Sequence, residues 1–343
     1  MNNHGMKRDT RKIWRVGDAI PNFTARSSSG QGGGQSAGQK LYFPNVAGRY
    51  TALCFFGSAS IEKNRNALQY ALSRQDFFND VRASFFGVTI DPSDEATGRV
   101  RQITPGYRFL WDDDKAISQI FGAITSEQGE KVTYSPFTLL LDHNLRVIAN
   151  IPIIDAAQHN EDLAKAINNL PEMRPASSAP ILLLPNIFEP DFCLQLIEAH
   201  RNNAQPDFLL DKNNELHQLI QQRVARRLLP EIAKIFNFNV TRIEKYSVNY
   251  RDSQNSGLNR YNRHNATPAT EHRKFFVAIN CNDDFVGGDH RFAEYSDAIY
   301  SPSAGGGIVA SCNLIHEIMP ISDGGKYSII MFFYDEQATK LTK

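Results

Sequence analysis

The chain has 343 residues, and its 37 lysines and arginines are matched by 37 aspartates and glutamates. That length favours two domains over one core, and a zero net charge argues against a protein that grips nucleic-acid phosphates or an anionic membrane surface. No run of about 18 uncharged apolar residues occurs, and the polar, basic start MNNHGMKRDTRK lacks the apolar stretch of a signal peptide. A soluble, cytoplasmic protein is therefore expected. The four cysteines, Cys54, Cys193, Cys281 and Cys312, show no C-x-x-C spacing and lie mostly in apolar runs, so they read as reduced core residues.

Residues 1–13 read as a disordered tail, and Trp14 to Ala25 as a compact opening segment. Ser27 to Gln39 is a Gly/Ser/Gln run with nothing to bury, which predicts a flexible loop. From Tyr50 the pattern is βα. TALCFFG is a buried strand, Ile61 to Phe78 has helical spacing, and ASFFGVTID is a second strand. TPGYRFLWDDD and a helix over Lys115 to Phe121 form a third unit. YSPFTLLLDHNLRVIANIPI gives two strands around the turn His143-Asn144, and a helix over Glu161 to Leu170 closes the domain.

GDAIPNFTA, FFGSAS, GVTIDPSDE and SPFTLLLD stand in the order of a peroxiredoxin-like thioredoxin fold, so residues 14–170 resemble a redoxin domain. The resemblance makes Ser135-Pro136 a candidate cis peptide. It also implies a nucleophilic cysteine in a Pro-x-x-x-Thr-x-x-Cys pattern at a helix start, where the helix terminus favours a thiolate. With Gly57 in the proline position, Ile61 stands for threonine and Asn64 for the cysteine, a degenerate peroxidatic position. Cys54 lies inside a strand. Peroxidase activity is not expected, and the domain reads as a scaffold or docking module.

Residues 171–180, with Pro171, Pro175 and Pro180, read as a linker, followed by a second domain over 181–343. A strand at ILLL precedes a helix from about Glu189. A longer helix over Leu216 to Phe236 should kink at Pro230. Its Arg223, Arg226 and Arg227 suggest a solvated helix face, with anion binding as the alternative. Strand-length runs Lys274 to Cys281, Gly307 to Cys312 and Tyr327 to Tyr334 then alternate with Gly- and Asn-rich turns, predicting an antiparallel β-fold. His264, His316 and Lys326 fall at or near strand ends.

RIEKYSVNY, Thr270 to Phe275, Gly287-Gly288 and Ser311-Cys312 leading to His316-Glu317 resemble the prolyl-4-hydroxylase-like branch of iron(II)/2-oxoglutarate dioxygenases. More specifically, the chain resembles bacterial fusions of a redoxin domain to such an oxygenase, although it is shorter between Ala199 and Leu219. The implied fold class is an α/β thioredoxin-like domain followed by a mainly β double-stranded β-helix with supporting helices. The implied cofactors are iron(II), on two histidines and a carboxylate, and 2-oxoglutarate. His316 matches the second histidine. Lys326, ten residues on, matches the cation that pairs with the far carboxylate of 2-oxoglutarate, with Tyr250 as a further contact.

The first half of the triad, His-x-Asp, does not occur. One register puts His264 in the histidine position and Ala266 in the carboxylate position. The gapless register keeps Gly257, Arg260, Arg263 and Asn265 in place and puts Asn262 and His264 there instead. Either leaves the carboxylate out. Three outcomes follow: halide in the vacancy, weak iron binding by two histidines with a neutral ligand such as Asn262, or a non-catalytic protein that binds a partner protein or a small acid. Asp289 matches a family acid outside the triad. His272 and His290 read as hydrogen-bonded structural or surface histidines. If catalysis persists, the resemblance implies hydroxylation of an unknown substrate, with a peptidyl one as the family analogy.

Overall fold

The computed structural model describes residues 14–27, 39–128, 131–171, 177–203, 207–209, 215–261 and 263–338. The expected tail at 1–13, most of the Gly/Ser/Gln run and residues 172–176 of the expected linker lie outside the described residues. The chain divides into two compact units, Met1–Met173 and Arg174–Lys343. No helix among the described residues is long and apolar enough to cross a membrane.

The first unit is a thioredoxin-like α/β fold. Its chain order is β1 (Thr24–Ser27), β2 (Gln39–Tyr42), β3 (Tyr50–Gly57), α1 (Glu62–Ser73), β4 (Ala83–Thr89), α2 (Pro92–Ala96) and β5 (Tyr107–Trp111). It continues through α3 (Ala116–Phe121), the hairpin β6 (Ile124–Gln128) and β7 (Lys131–Tyr134), then β8 (Phe137–Leu141), β9 (Val147–Pro152) and α4 (Ala156–Asn168). One sheet runs in the order β2-β1-β5-β4-β3-β8-β9. Strands β3, β4 and β5 are parallel and β8 joins β3 antiparallel. The central strands are buried along their whole length, as their unbroken apolar runs predict. Helix α1 is shorter than its helical spacing suggested, because the chain leaves helical geometry at Arg74.

The cis peptide is Thr104-Pro105, not Ser135-Pro136. Pro136 is instead held in an extended path into β8, where its carbonyl accepts from the Ile153 amide at 2.8 Å while Ser135 donates to the Ala123 carbonyl at 2.7 Å.

The second unit is a double-stranded β-helix. It starts with β10 (Leu182–Leu184), α5 (Pro190–Arg201), β11 (Asp207–Leu209), α6 (Glu215–Arg227), α7 (Leu229–Phe236), β12 (Arg242–Ile243) and β13 (Ser247–Asp252). There follow β14 (Asn259–Tyr261), β15 (Phe275–Asn280), β16 (Phe285–Gly287), β17 (His290–Arg291), β18 (Ile299–Tyr300), β19 (Gly307–Ser311), β20 (His316–Ile318) and β21 (Ile321–Tyr334). The larger sheet runs β10-β19-β15-β21-β13-β11, with β12 and β16 also on β21, and the smaller runs β14-β20-β17-β18.

Alternation along β21 sorts its side chains. Tyr327, Ile329, Met331 and Phe333 join the core beneath the helices. Ile330 and Phe332 face the other way, with Phe276, Ala278, Phe292 and Ile308, and Lys326 and Ser328 share their parity. The polar start of β21, SDGG, gave no strand signal. It pairs because Gly324 adopts φ +73° against Phe285 of β16.

The helix expected over Leu216 to Phe236 is two helices broken at Leu228, with Pro230 in the first turn of α7. Of the arginine cluster, Arg226 is exposed, as on a solvated face, whereas Arg223 and Arg227 are drawn into ion pairs with Glu189. Arg223 donates to Glu189 at 2.7 Å, Arg227 bonds the same carboxylate, and the Arg223 guanidinium lies 3.8 Å from the Phe192 ring centroid. Hydrogen bonds from Arg227 and Arg223 hold the Glu189 carboxyl down at about 2, which ties α6 to the residue that starts α5.

Candidate functional site

Strand β20 delivers His316 between β14 and β17, in register with Tyr261 on one side and two positions from His290, which pairs with Ile318, on the other. His264, just past β14, is fixed by its amide donating to the Cys312 carbonyl at 3.0 Å. The three rings form a hydrogen-bonded chain. His264 Nε2 lies 3.0 Å from His316 Nδ1, and His316 Nε2 lies 2.8 Å from His290 Nδ1. Phe276 stacks on His264 at 4.6 Å and Phe292 on His316 at 5.2 Å.

Burial pulls the His264 pKa down to about 4, with Arg273 adding to the effect, and holds His316 and His290 well below 6.5, so all three are neutral at pH 7. A neutral imidazole has one N–H, so protons along this chain all point the same way, towards His290 or towards His264. In both senses His290 Nε2 is the buried terminus, and it has no hydrogen-bond partner among the described residues.

The neighbouring carboxylates are committed elsewhere. Glu317 points to the opposite face of β20 from His316, where it accepts from Arg291 at 2.7 Å and pairs with Arg260 at 3.5 Å. Glu294 pairs with Arg263 at 3.0 Å and accepts from the Ile315 amide at 3.0 Å. Glu244 takes a bidentate contact from Arg273 and a 2.6 Å bond from His272.

Lys326 is buried, and its Nζ donates to the Gly288 carbonyl at 2.7 Å. Gly287 and Gly288 have φ of +91° and +66°, and a Cβ on Gly287 would lie 2.1 Å from the Pro320 carbonyl oxygen, so this turn requires glycine. Desolvation lowers the Lys326 pKa to about 8, opposed by the Asp289 charge. Tyr250 is not brought to Lys326. It pairs with Tyr327 in the β13–β21 register, so the period-2 alternation turns it to the helix side of the sheet.

Ala266 is exposed, whereas His264, His290 and His316 are buried. Asn262 lies outside the described residues. A cavity of about 430 Å³ reaches His264, lined also by Asn249, Arg263, Arg273, Ile330 and Phe332.

Iron(II) of the implied class needs two histidines and a carboxylate on one face of the ion. The 3.0 Å between His264 and His316 nitrogens is about what two ligands at right angles would span, each ~2.1 Å from a metal. The rest does not fit. The other nitrogen of His316 faces His290, and among the described residues no group of three His, Cys, Asp or Glu could hold a metal ion. The nearby cation Lys326 adds repulsion.

In the first unit, Asn64 sits in the first turn of α1, buried, with its amide donating to the Phe56 carbonyl at 2.6 Å and towards the Ser58 carbonyl at 3.4 Å. A cavity of about 620 Å³ is lined by Ser58, Lys63, Asn64, Asp91, Lys115 and Tyr134. Burial raises the Cys54 thiol to about 12, so at neutral pH it is protonated.

The sequence reading missed the pairing of His290 with His316. Hydrogen bonding of His290 was expected, but the partner depends on β17 and β20 being adjacent, and β17 has only two residues.

No protein-family model matches the chain, and no curated protein matches it either. Solved structures do match, each over about half of it. Peroxidoxin BcpB from Mycobacterium tuberculosis is 17% identical over 47% of this chain and 100% of that one, with a TM-score of 0.40. A Pseudomonas putida prolyl-4-hydroxylase is 15% identical over 46% of this chain and 94% of that one, with a TM-score of 0.38. An oxidoreductase of the 2OG-Fe(II) oxygenase family from Burkholderia pseudomallei is 18% identical over 45% and 84%, with a TM-score of 0.37. The matches are likenesses of fold. One set has a peroxiredoxin fold and the other that of a 2-oxoglutarate/iron(II) oxygenase.

Proposed function

We propose that the second unit is a binding domain for a small organic acid, built on an oxygenase fold without an oxygen-activating metal, and that the first unit is a non-peroxidatic docking module. The observation that carries this reading is the polar content of the β-helix interior: a buried ammonium whose acceptor is one carbonyl, three neutral histidines bonded to one another, and no carboxylate among the described residues to complete a triad. The Asp289 charge offsets only part of the cost of burying this ammonium, which favours a further anion beside it. The histidine chain offers N–H groups and lone pairs but no negative charge, so it favours the acid over a metal dication.

An anaerobic iron(II) titration with 2-oxoglutarate tests the reading, followed by the metal-to-ligand charge-transfer band and by succinate release once oxygen is admitted. The expected result is no band and no succinate. Calorimetry with 2-oxoglutarate or succinate alone should show binding that weakens about tenfold to a hundredfold in Lys326→Met, as for loss of a charge-assisted hydrogen bond of ~1.5–3 kcal/mol. Stoichiometric iron with ordinary turnover would make the protein a hydroxylase instead.

A further inference from the structure

Two of the four cysteines lie apart from the histidine chain and face one another. Cys193 is in the first turn of the 12-residue helix α5, its amide donating to the Glu189 carbonyl at 3.0 Å. Cys281 directly follows β15, and its amide donates to the Tyr327 carbonyl at 2.8 Å. Their thiols interact, and both are unbridged and buried. Gly305 closes in on Cys193, since a Cβ there would lie 3.7 Å from its Sγ. Both line a cavity of about 450 Å³ together with Arg201, Tyr250, Asn282 and Tyr327.

Three features separate Cys193 from Cys54 and Cys312, whose thiols are pushed up by burial. Cys193 is near a helix N-terminus, whose field favours a thiolate. A second thiol is already within hydrogen-bond reach. The hydrogen bond from Cys281 lowers the Cys193 pKa against the opposing effect of burial, while the same bond and burial hold Cys281 well up. One sulfur is thus the better nucleophile and the other the proton donor beside it.

We propose that Cys193 and Cys281 form a redox-active dithiol that exchanges with disulfides admitted through the 450 Å³ cavity. The Cys193 thiolate attacks one sulfur of a low-molecular-weight disulfide, making a mixed disulfide and expelling one thiolate. Cys281 gives its proton to that thiolate and attacks Cys193 Sγ, closing the protein disulfide and releasing the second thiolate. This second thiolate takes up the proton that Cys193 had given to water. One dithiol is oxidised and one disulfide is reduced to two thiols.

The test uses the full chain and glutathione disulfide, independently of iron or any acid. Wild type should lose two titratable thiols, a peptide map should join the Cys193 and Cys281 peptides, and dithiothreitol should reverse the link. Cys281→Ser should stop at a glutathione adduct on Cys193. Cys193→Ser should react roughly tenfold more slowly or less. The wild-type map stands whether or not either variant folds. An unreacted folded chain, a mixed disulfide that never closes, or equal reactivity at Cys54 and Cys312 would each overturn the proposal.

Discussion

Replacing Lys326 with methionine should stabilise the second unit at neutral pH. The lysine pKa falls from 10.5 to about 8 when its ammonium is buried in the β-helix interior. At ~1.4 kcal/mol per pH unit, this charge costs the fold on the order of 3 kcal/mol below pH 8. The folded state releases the proton more readily than the unfolded state, so between pH 8 and 10.5 the unfolded chain binds more protons and stability rises with pH. The relief is complete above 10.5 and lost as pH falls through 8. Methionine keeps most of the side-chain volume and removes both the cost and this slope. The two tryptophans, Trp14 and Trp111, both belong to the first unit, so urea unfolding followed by tryptophan fluorescence reports that unit alone. Circular dichroism then isolates the remaining transition. Lys326→Met should unfold later than the parent at pH 7 and nearly together with it at pH 10.5. A methionine variant less stable at pH 7 would show that the ammonium is compensated by contacts the burial argument omits. Added succinate should raise the parent's midpoint at pH 7 and leave the variant's unchanged.

Glu317→Gln leaves the guanidinium groups of Arg291 and Arg260 without their shared carboxylate, and should destabilise the second unit by about 3 kcal/mol, read from the same circular-dichroism transition; a change within experimental scatter would mean that solvent already serves both arginines. Ala266→Asp should leave iron content at the parent's level, because residue 266 is exposed, whereas Asn262→His with His264→Asp puts a carboxylate beside His316 and should raise it; metal analysis after anaerobic loading decides, and iron gained by the first variant would restore the other register. Peroxide consumption with a dithiol reductant should be at background and unchanged in Cys54→Ser, since that thiol is protonated and enclosed by β3; loss of a rapid turnover in the variant would contradict it.

Much of the fold was legible because apolar runs of strand length mark the central strands, and Pro230 marks the break between α6 and α7. The missed features are those whose cause lies across the fold. Arg223 and Arg227 look like a solvated face until α5 brings Glu189 against them. Tyr250 looks available to Lys326 until the β13–β21 register puts it on the other side of the sheet. Thr104-Pro105 has no stronger local signal for a cis bond than Ser135-Pro136. His264, His316 and Lys326 were visible as chemistry-bearing residues at strand ends, but their bonding partners depend on the short strands β17 and β20, which composition does not resolve.

Both units show the same physical substitution. Where a reactive group would need to remain available, the side chain present is closed into hydrogen bonds. Asn64 turns its amide onto the carbonyls of Phe56 and Ser58, and His316 turns both ring nitrogens onto other histidines. Such bonds satisfy polar groups that burial would otherwise penalise, so each unit can keep its interior packed without the chemistry its fold suggests. Lys326 is the exception, since the Gly288 carbonyl and the Asp289 charge still leave its pKa below the ordinary lysine value. The Cys193–Cys281 pair differs in another way: its hydrogen bond joins two groups that can react with each other, and both line a cavity. A closed bond at Asn64 and His316 removes reactivity, whereas the same kind of bond between two thiols prepares it.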